Sequence, residues 1–526
     1  MKRMLFLFLI FSLITSCTTI TQPTSLSFSA LTEQPFVDWW SDAVFYEIFV
    51  RSFVDSDGDG IGDFNGITQK LNYIQSLGVN AIWLMPIHPS PSYHGYDVLN
   101  YYAVNPKYGS LEDFKNLIDE AHNRKIKIII DLVLNHTSNQ HPFFANANTG
   151  PDSAYRDWYV WSNTSREHWH PGNSGYYYGF FWSGMPDLNY RNPEVTTQMY
   201  NVTRYWLSDV GVDGFRIDAA KHLIEEDNKL ENTDTTHEWF KDFYNFYKSV
   251  NPSAYTIGEV YGAGAYLATK YDQQMDHIFN FELASGIVNT IKGESNTGVY
   301  SAWKFTLKDV SDGNYATFLT NHDQNRVMSV LNGNEEKAKL AAVMLLTSPG
   351  TPYIYYGEEI GMQGKKPDED IRLPMQWSAD TNSGFTTGTP WRTPGTNFSQ
   401  INVAKQENDP KSLLNLYRAL TRLRSEYPVL RTGSASLIET GNTGVYAMLR
   451  SNGDVNVLVL INLTKSPISD YALSLTGAPI EDGDFTPASL LDSTRGESVT
   501  VTGGSFTNYK PINQLSPYHY YIFHFK

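Results

Sequence analysis

Short apolar runs recur along the chain at positions 43–50, 81–86, 126–133, 214–218, 255–260, 277–283, 315–321 and 353–359. They are too short for helices and lack polar alternation, the pattern of strands buried on both faces of a parallel sheet. Between them the period changes. At 111–123, 335–346 and 411–424 apolar residues fall three and four apart and define one face of a helix. Eight strand-plus-helix units with no hairpin signal between them predict an α/β fold, a (β/α)8 TIM barrel whose working face is built by the loops that follow the strands. Two connections are too long to be simple links. Residues 135–191, after the third strand, predict an excursion domain rich in aromatics and glycine, and residues 360–410, after the eighth, predict a wall beside the same face. After residue 428 the period falls to two, with runs at 445–449, 455–462 and 518–525, which predicts a C-terminal antiparallel β-sandwich domain. The predicted organisation is barrel domain A over 37–134 and 192–428, excursion domain B over 135–191, and the β-domain over 429–526.

The first residues stand outside this plan. Lys2-Arg3 precedes an apolar stretch over 4–14 that is too short to span a bilayer, and small residues follow, as in a signal peptide over 1–16. Ile14-Thr15-Ser16-Cys17 resembles a bacterial lipobox, which predicts an exported, extracytoplasmic lipoprotein anchored to the membrane by lipidation of Cys17, with 17–36 as linker. Cys17 is the only cysteine, so the exported fold must stand without an internal disulfide. A formal net charge of −16 repels nucleic acid and anionic surfaces. Neutral substrates are favoured, and 34 Tyr with 12 Trp supply flat faces suited to sugar rings.

Chemistry concentrates at the ends of three strands. In 214–218, alternation puts Arg216 and Asp218 on one face and Phe215 and Ile217 on the other. The guanidinium holds the carboxylate ionised and oriented, as a carboxylate nucleophile requires. Alone, such a pair reads as a structural ion pair; here Glu259 closes a second strand and Asp323 follows a third.

These strings carry a family resemblance. Asp131-Leu132-Val133-Leu134-Asn135-His136, Gly214 to His222, Gly258-Glu259-Val260 and Phe318 to Asp323 resemble, in order and on the expected strands, the signatures of the alpha-amylase family of glycoside hydrolases. The resemblance runs from about residue 40 to the end. It implies that Asp218 is the nucleophile, Glu259 the general acid/base, and Asp323 the third carboxylate, which binds ring hydroxyls and stabilises the distorted sugar. Arg216 supports this site. By the same resemblance Tyr96 and Asp97, in His94-Gly95-Tyr96-Asp97-Val98, meet the bound ring, His136 and His322 bind its hydroxyls, and Lys221 and His222 meet the leaving-group sugar. Physical chemistry agrees: retention needs one ionised and one protonated carboxyl about 5 Å apart, and Glu259, beside a second carboxylate, is expected to hold its proton. Two strings lean elsewhere in the family. Arg372, in Ile371-Arg372-Leu373-Pro374-Met375-Gln376-Trp377, resembles an oligo-1,6-glucosidase motif, and Met185-Pro186-Asp187-Leu188-Asn189 is similar to both oligo-1,6-glucosidase and neopullulanase signatures, whereas Ala219 resembles α-1,4 enzymes.

One metal site follows from spacing. Asp55, Asp57, Asp59 and Asp63 fall at positions one, three, five and nine of a loop with glycine at six and the Ile61 carbonyl at seven, the start of a Ca²⁺ loop. Position twelve is Gly66, so this is no EF-hand but a lone Ca²⁺ clamp. The resemblance implies a second calcium site through Asn135 and the excursion. The predicted function is a monomeric, retaining, endo-acting alpha-amylase that cleaves α-1,4 bonds in starch and maltooligosaccharides. The rivals are an oligo-1,6-glucosidase, a neopullulanase or a transglycosylating relative and, from another class, a non-catalytic glycan-binding lipoprotein, which should have lost a carboxylate.

Overall fold

The computed structural model describes residues 39–525 apart from 227, 311 and 312. The predicted signal peptide, Cys17 and the linker lie outside the described residues. Eight parallel strands form the centre: β1 (Phe45–Ile48), β2 (Ala81–Leu84), β3 (Lys127–Leu132), β4 (Gly214–Ile217), β5 (Tyr255–Gly258), β6 (His277–Ile278), β7 (Ala316–Thr317) and β8 (Thr351–Tyr355). They pair in the order β7-β8-β1-β2-β3-β4-β5-β6. A single parallel bridge between Phe279 and Ala316 closes the ring into a barrel. Side chains fill its interior, among them Phe45, Trp83, Ile129, Tyr255, Phe279 and Tyr353, and the Phe45 and Tyr353 rings stack at 4.3 Å. Such a barrel is a packed core with its chemistry at one rim.

Helices cover the outside because their apolar residues share one face. Helix Leu111–Asn123 buries Phe114, Leu117, Ile118 and Ala121, and its start is fixed by a reciprocal cap between Ser110 and Asp113. Gly214 opens β4 at φ +156°, where an added Cβ would meet the Tyr255 carbonyl oxygen of β5 at 1.9 Å. Only glycine lets these two site-bearing strands approach this closely.

Every barrel strand ends before its predicted run does, and two show why. The run 277–283 splits, because Asn280 caps a helix over Phe281–Gly293 by accepting from the Leu283 amide. The run 353–359 ends at Tyr355, where Gly357 turns left-handed at φ +79° and Glu358–Ile360 form a 3₁₀ turn. After β3 the chain forms a small three-stranded antiparallel sheet from Trp161–Ser162, Trp169–Gly172 and Gly175–Tyr178. Bridges His136–Asp187 and Tyr159–Leu188 tie this segment back to the barrel rim. Beyond helix Leu413–Glu426, a five-stranded antiparallel sheet and two ribbons enclose a second core around Leu449, Leu458, Leu460 and Phe523. Two fully buried arginines sit where this sheet meets the barrel. Arg424 donates to the carbonyls of Leu346, Ser348, Gly350 and Leu430, and Arg450 to those of Thr347, Leu430 and Gly433. Among the described residues no helix is long and apolar enough to cross a membrane.

Candidate active site

The register of the barrel sets the site. Arg216 on β4 lies beside Asp131 on β3 and Ile257 on β5, so its guanidinium is buried between strands that end at the rim. Its Nη1 donates to Asp131 Oδ1 (2.5 Å) and to Asp218 Oδ1 (2.7 Å), and its Nη2 lies 3.0 Å from Glu259 Oε2. One cation thus joins three carboxyls, where the sequence suggested service to Asp218 alone. Trp83 Nε1 donates to the other Asp131 oxygen (3.0 Å) and fixes the base of this cluster. Ala219, directly after Asp218, takes a left-handed conformation at φ +47°, uncommon for a residue with a Cβ. That turn aims its N–H at Glu259 Oε2, 3.1 Å away.

A cavity of about 220 Å³ opens above this cluster, lined by His94, Tyr96, His136, Phe181, Met185, Asp218, Glu259, Asp323, Asp368 and Arg372. Six of the sequence-derived residues, Asp218, Glu259, Asp323, Tyr96, His136 and Arg372, therefore share one wall. His94, Phe181, Met185 and Asp368 join them without having been singled out as site residues. His94 and Met185 fall inside strings already noted, and Asp368 stands four residues before Arg372. Phe181 had no signal beyond the aromatic richness of the excursion. His322 lies behind the wall, with Nε2 2.7 Å from the Tyr96 hydroxyl and 3.1 Å from Asp323 Oδ2. Arg372 donates from Nη2 to Asp323 Oδ1 (2.9 Å) and from Nε to the His322 carbonyl (2.9 Å).

Of the expected substrate residues, Asp97, Arg216, Lys221, His222 and His322 do not line the cavity. Asp97 is buried and accepts from the Ser90 and Ser92 hydroxyls, which pins the loop that carries Tyr96. Lys221 is paired with Glu231 at 2.6 Å. His222 stacks under Phe180 at 3.9 Å, with Nδ1 3.1 Å from the Leu230 carbonyl.

Burial dominates the electrostatics. It pushes the Glu259 carboxyl up against the pull of Arg216, with Asp218 and Asp323 adding to the rise. The direction matches the sequence expectation, but desolvation outweighs the neighbouring carboxylate as its cause. Burial also raises Asp218, opposed by the Arg216 charge and hydrogen bond. Of the two, Asp218 has the shorter guanidinium contact and is the one better held as an anion. Asp323 is held well below the usual carboxylate range, because His322 and Arg372 more than offset its burial. Burial lowers His136 to about 4, so its ring is neutral at neutral pH.

Two oxygen clusters lie apart from the cavity. After β1, ligand oxygens of Asp55, Asp57 and Asp63 lie within 4.8 Å of one another, a donor set that fits a hard cation such as Ca²⁺. Asp59 stands outside that set: it is exposed, and its Oδ1 accepts from the Ile61 amide. Asp55 also accepts from the amides of Asp57, Gly58 and Gly60, and Asp63 caps the helix Phe64–Ser76. The second cluster joins β3, the excursion and the loop after β4, where Asn135 Oδ1, Asp187 Oδ2 and Glu225 Oε1 are buried without a hydrogen-bond partner. Burial, and then the charge of Glu225, raise the Asp187 carboxyl well above its ordinary value. Orphaned hard oxygens of this kind also fit a cation.

Comparison with known proteins gives one family. A family profile described as "Alpha amylase, catalytic domain" matches residues 47–433. "Alpha-amylase 3" of Dictyoglomus thermophilum is 42% identical over 437 residues, which cover 81% of this chain and 86% of that protein. An oligo-1,6-glucosidase of Heyndrickxia coagulans is 34% identical, covering 82% and 93%. The crystal structure of the alpha-amylase from H. orenii superposes with a TM-score of 0.78 at 39% identity, covering 92% of this chain and 99% of that one. The chain belongs to the alpha-amylase family of glycoside hydrolases.

Proposed function

We propose that the protein is a retaining, endo-acting α-glucan hydrolase that cleaves α-1,4-glucosidic bonds in starch and maltooligosaccharides. The observation that carries this reading is the convergence of Asp218, Glu259 and Asp323 on one cavity, with a single guanidinium against both Asp218 and Glu259. Carboxyls held by two nitrogens of one guanidinium suit the closer spacing of retaining enzymes, about 5–5.5 Å, better than the wider inverting arrangement. In the first step Asp218 attacks the anomeric carbon as the glycosidic bond breaks, and the Glu259 proton passes to the leaving oxygen. In the second, Glu259 takes a proton from water, whose oxygen displaces Asp218 and restores the α configuration. Asp323, kept anionic by His322 and Arg372, accepts from ring hydroxyls as positive charge develops on the sugar. The presence of all three carboxyls speaks against a purely glycan-binding role.

Support for α-1,4 cleavage comes from relatives named alpha-amylase at 42% and 39% identity and from Ala219 beside the nucleophile. One observation favours an oligo-1,6-glucosidase instead: Arg372, from the string that resembles an oligo-1,6-glucosidase motif, lines the cavity together with Asp368, 3.4 Å away. Iodine staining of starch should fall quickly, before much reducing sugar appears, and maltotetraose should be cut faster than isomaltose. Faster cleavage of isomaltose would replace the α-1,4 reading with the α-1,6 one. Calcium belongs to the proposal as a structural ion. Asp55, Asp57 and Asp63 would hold it in the loop after β1, with Asn135, Asp187 and Glu225 as a second set; when bound it supplies positive charge that ties acidic loops together.

A further inference from the structure

His322 is wholly buried and faces a carboxylate at each ring nitrogen. Nδ1 lies 2.5 Å from Glu47 Oε1 on β1, and Nε2 lies 3.1 Å from Asp323 Oδ2. Glu47 is itself buried and lines no part of the cavity. A carboxylate can only accept, so the Glu47 contact requires a proton on Nδ1, and the Asp323 anion 3.1 Å from Nε2, a nitrogen that also meets the Tyr96 hydroxyl, favours a proton there. Neutral imidazole has one proton and would turn a lone pair towards one of the two anions. Without Glu47 the choice is simple: the neutral tautomer protonated at Nε2 satisfies Asp323. It is Glu47 that makes the second proton necessary.

We infer that Glu47 is a positioning residue, which acts through His322 by keeping its ring doubly protonated and so holding Asp323 anionic and fixed in the active site. Anions outnumber cations among the groups around the ring, with Arg372 and Arg216, which reaches the Tyr96 hydroxyl at 3.4 Å, as the opposing charges. Glu47 comes from β1, Asp131 from β3, Asp218 follows β4 and Asp323 follows β7; the Tyr96 hydroxyl lies 2.7 Å from Nε2, and Arg372 meets His322 at its backbone carbonyl. The Trp83 ring packs edge-on at 5.5 Å and excludes water from that side. Burial opposes a charged ring, but Asp323 and Glu47 together outweigh it and hold His322 up at about 9. The arrangement explains why a buried acid stands on a strand whose other site-facing neighbours are apolar or aromatic: it compensates the charge of a histidine, which then compensates Asp323. The inference rests on the proposed role of Asp323 for its catalytic meaning, but the protonation state of His322 stands independently of which bond is cut.

The test uses Glu47→Gln, which keeps shape and hydrogen-bonding capacity but removes the charge. The amide can turn its NH₂ to Nδ1 and leave a neutral ring protonated at Nε2 alone. In ¹⁵N-histidine-labelled enzyme at pH 7.5, with His322 assigned by its loss in His322→Gln, both ring nitrogens should carry protons in the unaltered protein and only Nε2 in Glu47→Gln. In parallel, the kcat/KM of Glu47→Gln on maltotetraose relative to the unaltered enzyme should fall at least five-fold between pH 5.5 and pH 8, because a neutral ring still donates to Asp323 but no longer sets a positive charge against it. A singly protonated His322 in the unaltered enzyme, a doubly protonated one in Glu47→Gln, or parallel pH profiles would each overturn the inference. If Glu47→Gln does not fold, the spectrum of the unaltered enzyme decides alone. Cleavage of isomaltose over maltotetraose would change the proposed specificity and leave the ¹⁵N result untouched.

Discussion

At the scale of residues, the site depends on Arg216 more than on any single carboxyl. Its guanidinium contacts Asp131, Asp218 and Glu259 at once, so a change in the charge of one is felt by the other two. Asp218→Asn and Glu259→Gln, which keep shape but each remove one half of the double displacement, should lower turnover on starch by roughly 10³-fold or more without loss of folding. The first product released by the unaltered enzyme should be the α-anomer in a rapid NMR assay; near-native turnover in either variant, or an initial β-anomer, would contradict the roles assigned. The three carboxyls were legible in the sequence because each falls just past an apolar strand in a recognisable string. The sharing of Arg216 was not, since it depends on the register between β3, β4 and β5. Asp97, Lys221 and His222 show the reverse limit. They stand beside site residues in the chain, yet backbone turns point them into Ser90 and Ser92, Glu231 and Phe180.

At the scale of elements, the eight strands were readable and their ends were not. A run such as 277–283 is apolar throughout, and only the capping of Leu283 by Asn280 decides that its second half is helix. The same holds after β8, where Gly357 turns the chain and buries Glu358 with a hydrogen bond from the Tyr417 hydroxyl (2.8 Å). Burial raises that carboxyl to about 8, against about 4.3 in an unfolded chain. Folding therefore favours its protonated form, so its contribution is complete below about pH 4.3 and is lost as pH rises through about 8. Glu358→Gln should flatten the decline in melting temperature between pH 5 and 8.5; an unaltered slope would show that Glu358 does not titrate in this way. The loop after β1 gives a second expectation. An ion bound only by the folded state contributes about 2.7 kcal/mol at a hundred times its Kd. Chelation should accordingly lower the melting temperature by several degrees, and Asp55→Ala with Asp57→Ala, which removes two of the three members of the set, should abolish most of that response. Undiminished chelator sensitivity in the double variant would point to the Asn135, Asp187 and Glu225 cluster instead.

At the scale of the whole molecule, the sequence foretold a barrel, an excursion on its working face and a terminal β-structure, because each announces itself by the period of its apolar residues. The junction was hidden: nothing in the sequence marks Arg424 and Arg450, which are buried among backbone carbonyls. The anchoring expected from the string that ends in Cys17 belongs to this scale too, and it suits the proposed activity, since starch granules cannot enter a cell. Export as a lipoprotein predicts that metabolic labelling with a fatty acid marks the protein and that Cys17→Ser releases it into the soluble fraction; an unlabelled parent protein would end that proposal. The closure of the barrel has a mechanical consequence. β4 and β5, which carry Asp218 and Glu259, are laced by four residue pairs, whereas β6 meets β7 through one bridge, and β7 is the strand from which Asp323 hangs. Stiffness in a sheet follows the density of its cross-links. The hoop is therefore rigid where bonds are made and broken and compliant at its seam, so the run of contacts from Glu47 on β1 through His322 to Asp323 works as a strut that keeps the third carboxylate in step with the reacting pair.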